Sequence, residues 1–391
     1  MSPALRLAHL RRYAIARSLV PANGLQAAID RLGFVQADPI RAPARAQDLA
    51  LRHRVANYRA GDLERAYPTL AVEEDYFVNY GFVSRPLHAL MHPRVVRPAW
   101  SRSRRARAQA VLEFVRQRGY AHPRDVDAHF AHGAVVNAWG GSSNATTHLL
   151  DGMHYRGLLR VLRREGGIRV YGVRTARAAE HELSPHARLD ALVDVAVRKY
   201  APLPARSLAI LVRRLRYATP QLARGIDEAL ARAKRRLAHA HVEGIEWYWP
   251  ADESPQAIVD TPDDEVRLLS PFDPVVWDRA RFERFFGWPY RFEAYTPIAK
   301  RKLGYYALPL LYRDAVIGWA NLATTNGKLS SQFGYVDGKP RGRDFERAIA
   351  RELTRMRTFL RPAAGARAEP AADTESPDKR APAPSAPSPS R

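Results

Sequence analysis

Leu158-Leu159-Arg160-Val161-Leu162-Arg163-Arg164-Glu165-Gly166-Gly167-Ile168-Arg169-Val170-Tyr171-Gly172-Val173 reads as two alternating strands around a glycine turn. Apolar and basic residues take turns along Leu158 to Arg163 and again along Ile168 to Val173, and Gly166-Gly167 supplies the backbone freedom of a tight turn. What precedes this hairpin decides the fold. From Arg104 onward, Ala110, Val111, Phe114 and Val115 share a helical face, Gly119 breaks that helix, and His122-Pro123-Arg124-Asp125-Val126 opens a second. A third helix is expected from Ser142 or Ser143, either of which can cap it, through Leu149 and Leu150 to Arg156. Three helices and a basic hairpin make a winged helix, whose third helix enters a nucleic-acid groove while the hairpin lies along the backbone. Here the hairpin offers Arg160, Arg163, Arg164 and Arg169. The same module also serves protein contacts, so the hairpin alone does not name the partner.

The plan repeats downstream. Leu189 to Tyr200, Ala205 to Tyr217 and Gln221 to Ala238 read as helices punctuated by Pro202, Pro204 and Pro220, with a strand pair ending in Trp247-Tyr248-Trp249. Arg213 and Arg214, then Arg232, Lys234, Arg235 and Arg236, would each be a solvated face if alone; two such clusters on repeated modules suggest a binding surface. Upstream, Leu5 to Arg17 and Gly24 to Leu32 are helical and a strand is expected over Gln36 to Ile40. Short helices follow at Ala46 to Val55 and Gly61 to Ala66, then an aromatic run, Asp75 to Phe82, that reads as core. From Val266 the period becomes two, with strands over Leu268 to Asp273, Tyr305 to Leu311 and Ala315 to Leu322, turns at Tyr312-Arg313-Asp314 and Asn326-Gly327, and a closing helix Asp344 to Phe359. The class is α+β. Three tandem winged-helix modules are expected over residues 1–100, 101–180 and 185–262, an antiparallel β-barrel over 263–362, and a disordered Ala/Pro/Ser tail over 363–391.

Composition narrows the partners. The chain has 391 residues, 46% of them hydrophobic, enough for several buried cores. Its 62 Lys and Arg against 40 acids leave a formal net charge of +22, which calls for an anionic partner, nucleic acid first. No apolar run reaches the roughly eighteen residues of a membrane helix. Met1 to Val20 is interrupted by arginines and a histidine and does not read as a signal segment, so a cytoplasmic, nucleoid-associated protein is expected. The absence of cysteine removes disulfides, thiol nucleophiles, iron–sulfur clusters and cysteine zinc sites.

One pair of residues stands out chemically. Gln36 and Asp38 are two apart in an otherwise apolar extended stretch, Leu32-Gly33-Phe34-Val35-Gln36-Ala37-Asp38-Pro39-Ile40, so both side chains point to one face. If that face lines a pocket, the amide can hold a water and the carboxylate can stabilise a developing positive charge, which is glycosidic-bond chemistry in outline. Taken alone, such a pair before a proline is ordinarily solvated. Other constellations are thinner. His239 and His241 share a strand face without a third ligand, His88 and His92 read as structural or phosphate-contacting, and Gly140-Gly141-Ser142-Ser143 lacks the lysine of a Walker loop. Asp273 and Asp278 either brace the barrel, or Asp273 lines the cleft. No metal or cofactor is called for.

Taken in order, several segments resemble the winged-helix DNA glycosylases that unhook interstrand crosslinks, the AlkZ/YcaQ family, over roughly residues 5 to 360. They are Gly33 to Asp38, Trp139-Gly140-Gly141-Ser142, Leu268 to Arg279, Lys300-Arg301-Lys302-Leu303-Gly304-Tyr305-Tyr306 and Leu308 to Tyr312. The resemblance implies a C-shaped protein of three winged helices and a C-terminal barrel that cuts the bond between deoxyribose and an alkylated purine in double-stranded DNA. The family's catalytic motif is Gln-x-Gln or Gln-x-Asp, which places Gln36 and Asp38 in the Gln-x-Asp branch. Lys300, Arg301 and Lys302 join the candidate DNA contacts. One departure is Ala37, where the family commonly carries a larger aliphatic residue. No Schiff-base lysine is suggested near the motif, so a monofunctional, cofactor-free enzyme acting as a monomer is expected. The rival reading is a non-enzymatic winged-helix regulator, which would ordinarily be a dimer reading paired half-sites. A two-metal nuclease would need clustered carboxylates that the chain does not show.

Overall fold

The computed structural model describes residues 4–131, 133–136, 142–175, 183–257 and 263–361. The expected tail and the segment Trp139 to Gly141 lie outside the described residues.

The N-terminal segment runs α1 (Leu7–Ser18), α2 (Leu25–Leu32), β1 (Phe34–Gln36), α3 (Ala46–Leu51), α4 (Asp62–Ala66), β2 (Val72–Tyr76), β3 (Tyr80–Ser84) and α5 (Arg85–Met91). Its three strands form one antiparallel sheet in the order β1-β3-β2, with Gln36 opposite Gly81. A Cβ on Gly81 would lie 2.2 Å from the Val35 carbonyl oxygen, so only glycine lets β3 close on β1 at this level. Gly33 ends α2 at φ +65, and its missing Cβ makes room for Val195.

Next come α6 (Arg102–Arg118), α7 (Pro123–Phe130), the short strands β4 (Ala134–Val136) and β5 (Ser142–Asn144), α8 (Ala145–Tyr155) and the hairpin β6 (Leu159–Glu165) and β7 (Ile168–Val173). Helix α8 is capped by Asn144, whose side chain accepts from Thr147 N at 3.1 Å, and not by Ser142 or Ser143 as expected. The third segment holds α9 (Pro185–Tyr200), β8 (Leu203–Pro204), α10 (Ala205–Ala218), α11 (Ile226–Arg236), β9 (Ala238–Val242) and β10 (Ile245–Trp249), with strands in the order β8-β10-β9. Expected helices and hairpins are thus present in both places.

The last segment comprises β11 (Val266–Leu268), α12 (Pro274–Trp277), α13 (Arg279–Phe286), β12 (Leu308–Tyr312), β13 (Ala315–Thr325), β14 (Lys328–Tyr335) and α14 (Arg343–Leu360). Asn326 and Gly327 turn β13 into β14, both at positive φ, as a two-residue hairpin requires. The expected barrel does not form among the described residues: the sheet is open, in the order β11-β12-β13-β14. The reason is chemical. The outer edge of β11 is occupied by side chains, since Glu352 accepts from Leu268 N at 2.9 Å, Arg355 donates to Val266 O at 2.7 Å and His53 meets Leu268 O at 2.9 Å. Among the described residues, these side chains take the place on β11 that a closing strand would need.

Two large cores meet at β1. Val35 and Ala37 belong with the core shared by α2, α6, α8 and the C-terminal sheet, whereas Phe34 belongs with α1, α9, α10 and α11. The strand therefore faces different neighbours on alternate residues, and Gln36 points with Phe34 towards the α9–α10 side.

Candidate active site

Strand β1 is shorter than its apolar run. Ala37 N still donates to Tyr80 O at 3.0 Å, but Asp38 N leaves the ladder and donates to the Gln47 amide oxygen at 3.3 Å. Pro39 can donate nothing, and the Asp38 carboxylate accepts from Ile40 N at 2.9 Å, closing an Asx turn where a strand to Ile40 was expected. The consequence is that Asp38 is held by its own turn.

Gln36 is half-buried and clamped. Its carbonyl oxygen accepts from Asn79 Nδ2 at 2.9 Å and from Trp277 Nε1 at 3.2 Å. Both clamps rest on Arg214, which donates to Asn79 Oδ1 at 3.2 Å and to Val78 O at 3.3 Å and lies 5.6 Å from the centre of the Trp277 ring. With its oxygen engaged twice, the amide has only its NH2 left to offer, a donor for a water or a substrate oxygen.

Asp38 is 8% exposed. Burial pushes its carboxyl up to about 6, against the single opposing hydrogen bond from Ile40 N. Its second oxygen carries no hydrogen bond among the described residues, so it is the atom available for chemistry. Its charge reaches two phenols, exposed Tyr295 and buried Tyr306, both raised by burial first and then by Asp38. The Tyr306 hydroxyl is buried with no hydrogen-bond partner among the described residues. Gln36 thus meets the C-terminal segment through Trp277, and Asp38 through the charge it exerts on Tyr295 and Tyr306. No hydrogen bond joins them to each other.

Sequence reasoning missed these supports. Asn79 was visible only as the lone amide in an aromatic run, and Trp277 lies 241 residues from its acceptor. Lys199 was also missed. Its ammonium donates to Phe34 O beneath β1, and burial, then the charge of Arg54, lowers it to about 7. At 4% exposure, between Phe34 and Tyr200, it is sealed from any substrate.

The candidate DNA-binding cations divide into two groups. Arg160 chelates Glu73 at 3.1 and 2.6 Å, Arg164 chelates buried Glu74 at 2.8 and 2.6 Å, and Arg169 pairs with Asp151 at 2.8 Å, so these hairpin residues grip β2 and α8. Arg214 serves the Gln36 clamp, Arg232 chelates Asp190 and Arg236 bonds Asp194. Arg301 donates to Thr296 O at 2.7 Å and lies over Tyr305. Arg163 pairs at the surface with Glu165 and lies over Tyr120, Arg213 pairs at the surface with Asp227, and Lys234 lies over Tyr248. Arg235, Lys300 and Lys302 are exposed.

Asp273 and Asp278 are braces. Asp273, fully buried, holds Arg54 at 2.8 and 3.2 Å and caps α12 through Val275 N, which fixes Trp277; Asp278 caps α13. Asp75, His88 and His92 are close enough to hold a cation, but Arg94 already occupies the other Asp75 oxygen at 2.6 Å, which makes the cluster a buried ionic hub. Among the described residues, no helix is long and apolar enough to cross a membrane.

Comparison with known protein families matches residues 29–359 to the family described as DNA glycosylase AlkZ-like. Among solved structures, the Streptomyces sahachiroi DNA glycosylase AlkZ is similar, with a TM-score of 0.60 over 91% of this chain and 97% of that one. Identity there is 12%, so the likeness is one of fold.

Proposed function

The chain belongs to the AlkZ-like DNA glycosylase family, and from that membership we propose that it excises N7-alkylated purines, crosslinked guanines included, with Asp38 and Gln36 as the catalytic pair. Alkylation at N7 makes the base cationic and a ready leaving group, so the transition state is an oxocarbenium-like sugar that needs little acid catalysis. What that transition state needs is a carboxylate. Asp38, through its free oxygen, stabilises the cation and takes a proton from the attacking water. Gln36 orients that water by donating from its NH2, because its oxygen is committed to Asn79 and Trp277. The proton leaves the water, the glycosidic electrons leave with the base, and an abasic site remains. The enzyme is monofunctional and needs no cofactor.

The observation that carries this reading is a buried carboxylate, raised to about 6, two residues beyond an amide clamped from two other segments. Such matched perturbation is typical of groups poised for chemistry. We read the three helix-and-hairpin segments as winged helices that let a monomer hold one duplex around one lesion.

The test is incubation of the full chain with duplex DNA carrying N7-methylguanine, followed by heat or alkali. Strand breaks at the lesion are expected from wild type, and Asp38→Asn should lower single-turnover excision by about two to three orders of magnitude. An Asp38→Asn variant as fast as wild type overturns the assignment. A chain that excises nothing yet prefers one duplex sequence by several kcal/mol would be a regulator instead.

A further inference from the structure

Tyr295 and Ile298 are the two most exposed large apolar side chains among the described residues, at 66% and 75%. They sit three residues apart on one loop, where the Tyr295 ring packs edge-on against Phe292 at 6.1 Å and Phe292 in turn packs edge-on against Tyr306 at 5.2 Å; Tyr295 and Tyr306 are the two tyrosines on which the Asp38 charge acts. The loop is held from below. Glu293, itself buried, accepts from the backbone N–H groups of Lys302, Leu303 and Gly304 at 2.8, 2.7 and 3.3 Å, and Asn321 donates to Leu303 O at 2.7 Å. Gly304 is required there, because a Cβ would lie 2.4 Å from Asn321 Oδ1 at a φ of +115. Arg301 ties back to Thr296 O and covers Tyr305. Two apolar groups are thus presented to solvent on a preorganised base, followed at once by exposed Lys300 and Lys302.

An exposed apolar pair flanked by cations next to a carboxylate that acts on a nucleotide fits the base stack of a duplex, with the lysines on its phosphates. We propose that Tyr295 and Ile298 are a wedge that enters the duplex beside the lesion and holds the stack open while the damaged nucleotide lies against Asp38. This rests on the glycosylase reading of Gln36 and Asp38. It adds how a base too constrained to swing out fully is reached: the stack is pried apart in place.

The experiment uses the full chain and a duplex in which 2-aminopurine neighbours a cleavage-resistant 2′-fluoro-N7-methylguanine. Wild type should raise the fluorescence of the neighbour on binding. The Tyr295→Ser, Ile298→Ser double variant should leave it near the free-duplex level and bind about tenfold more weakly. Tyr295→Trp, which keeps a ring, should retain the amplitude, and Lys300→Ala with Lys302→Ala should retain it at saturating protein while weakening binding most at low salt. The wedge is overturned if wild type binds without unstacking, or if the double serine variant matches wild type in amplitude and affinity, as it would were the pair a protein-docking or lipid-facing patch. Unstacking by a wild type that never releases N7-methylguanine would overturn the excision reading and leave the wedge standing.

Discussion

Asp38 has its carboxylate in the protein interior with one backbone N–H for company, and that has two measurable consequences. A folded-state value of about 6 lies above the unfolded value near 3.8. Between the two, the native state binds a proton that the unfolded chain has lost, so the protonated carboxyl stabilises the fold at low pH and that contribution is lost as pH rises through about 6. Above it, the ionised carboxylate costs the native state on the order of 3 kcal/mol. Asp38→Asn removes the charge and keeps an acceptor for Ile40 N. It is therefore expected to be more stable than wild type at pH 7.5, by about 1–3 kcal/mol in urea unfolding, while being catalytically poor. Catalysis follows the same titration with the opposite benefit. The excision rate should fall about tenfold per pH unit below about 6 and be flat above it, and that limb should vanish in Asp38→Asn. A rate that keeps its acid limb in the variant assigns the titration to another group.

The β6–β7 hairpin shows how an element can look like one thing in sequence and be bound into another. Arg160, Arg164 and Arg169 alternate as a basic strand face should, yet their partners are Glu73, Glu74 and Asp151, up to 90 residues away or on the preceding helix. Burial alone would raise Glu74; the charge and hydrogen bonds of Arg164 overcome this and hold it below the ordinary carboxylate value. Arg164→Ala strands that buried charge and should cost about 3–5 kcal/mol in unfolding free energy. Arg163→Ala, whose pair with Glu165 is at the surface, should cost no more than about 0.5 kcal/mol. Equal costs would mean that the hairpin does not lean on β2. The same distinction explains what was legible. Helical period and glycine or proline breaks give α6, α9, α10 and α14 to within a few residues, and a two-residue spacing singles out Gln36 and Asp38 as candidates. What the spacing missed was set by partners far away in the chain: the Asx turn that ends β1 early, the clamp from Trp277, and the side chains of α14 that fill the edge of β11 and leave the sheet open.

For the whole molecule, a formal charge of +22 overstates the cationic surface available to DNA. Much of it is spent within the fold: Arg54 on Asp273, Arg52 on Glu352, Arg94 on Asp75 and Arg17 on Glu253 join segments that are distant in sequence. Such pairs are formed before any duplex arrives, so removing one member weakens the fold without releasing counterions from DNA. The cations that no carboxylate chelates are the ones that can neutralise phosphates. Lys234, Arg235, Lys300 and Lys302 lie on two segments that flank, in sequence, α12 with its Trp277, the residue that clamps Gln36. Replacing all four by Ala should flatten log affinity against log salt by about 0.9 for every phosphate no longer neutralised, up to about 3.6, with the melting temperature held. Arg160→Ala with Arg169→Ala should do the reverse, lowering the melting temperature and leaving the slope within about one unit of wild type. Fluorescence anisotropy on an undamaged duplex from low to high salt separates them. If the hairpin pair sets the slope and the other four cations do not, the duplex lies along the β6–β7 hairpin, and Glu73 and Asp151 must release their arginines to phosphate on binding.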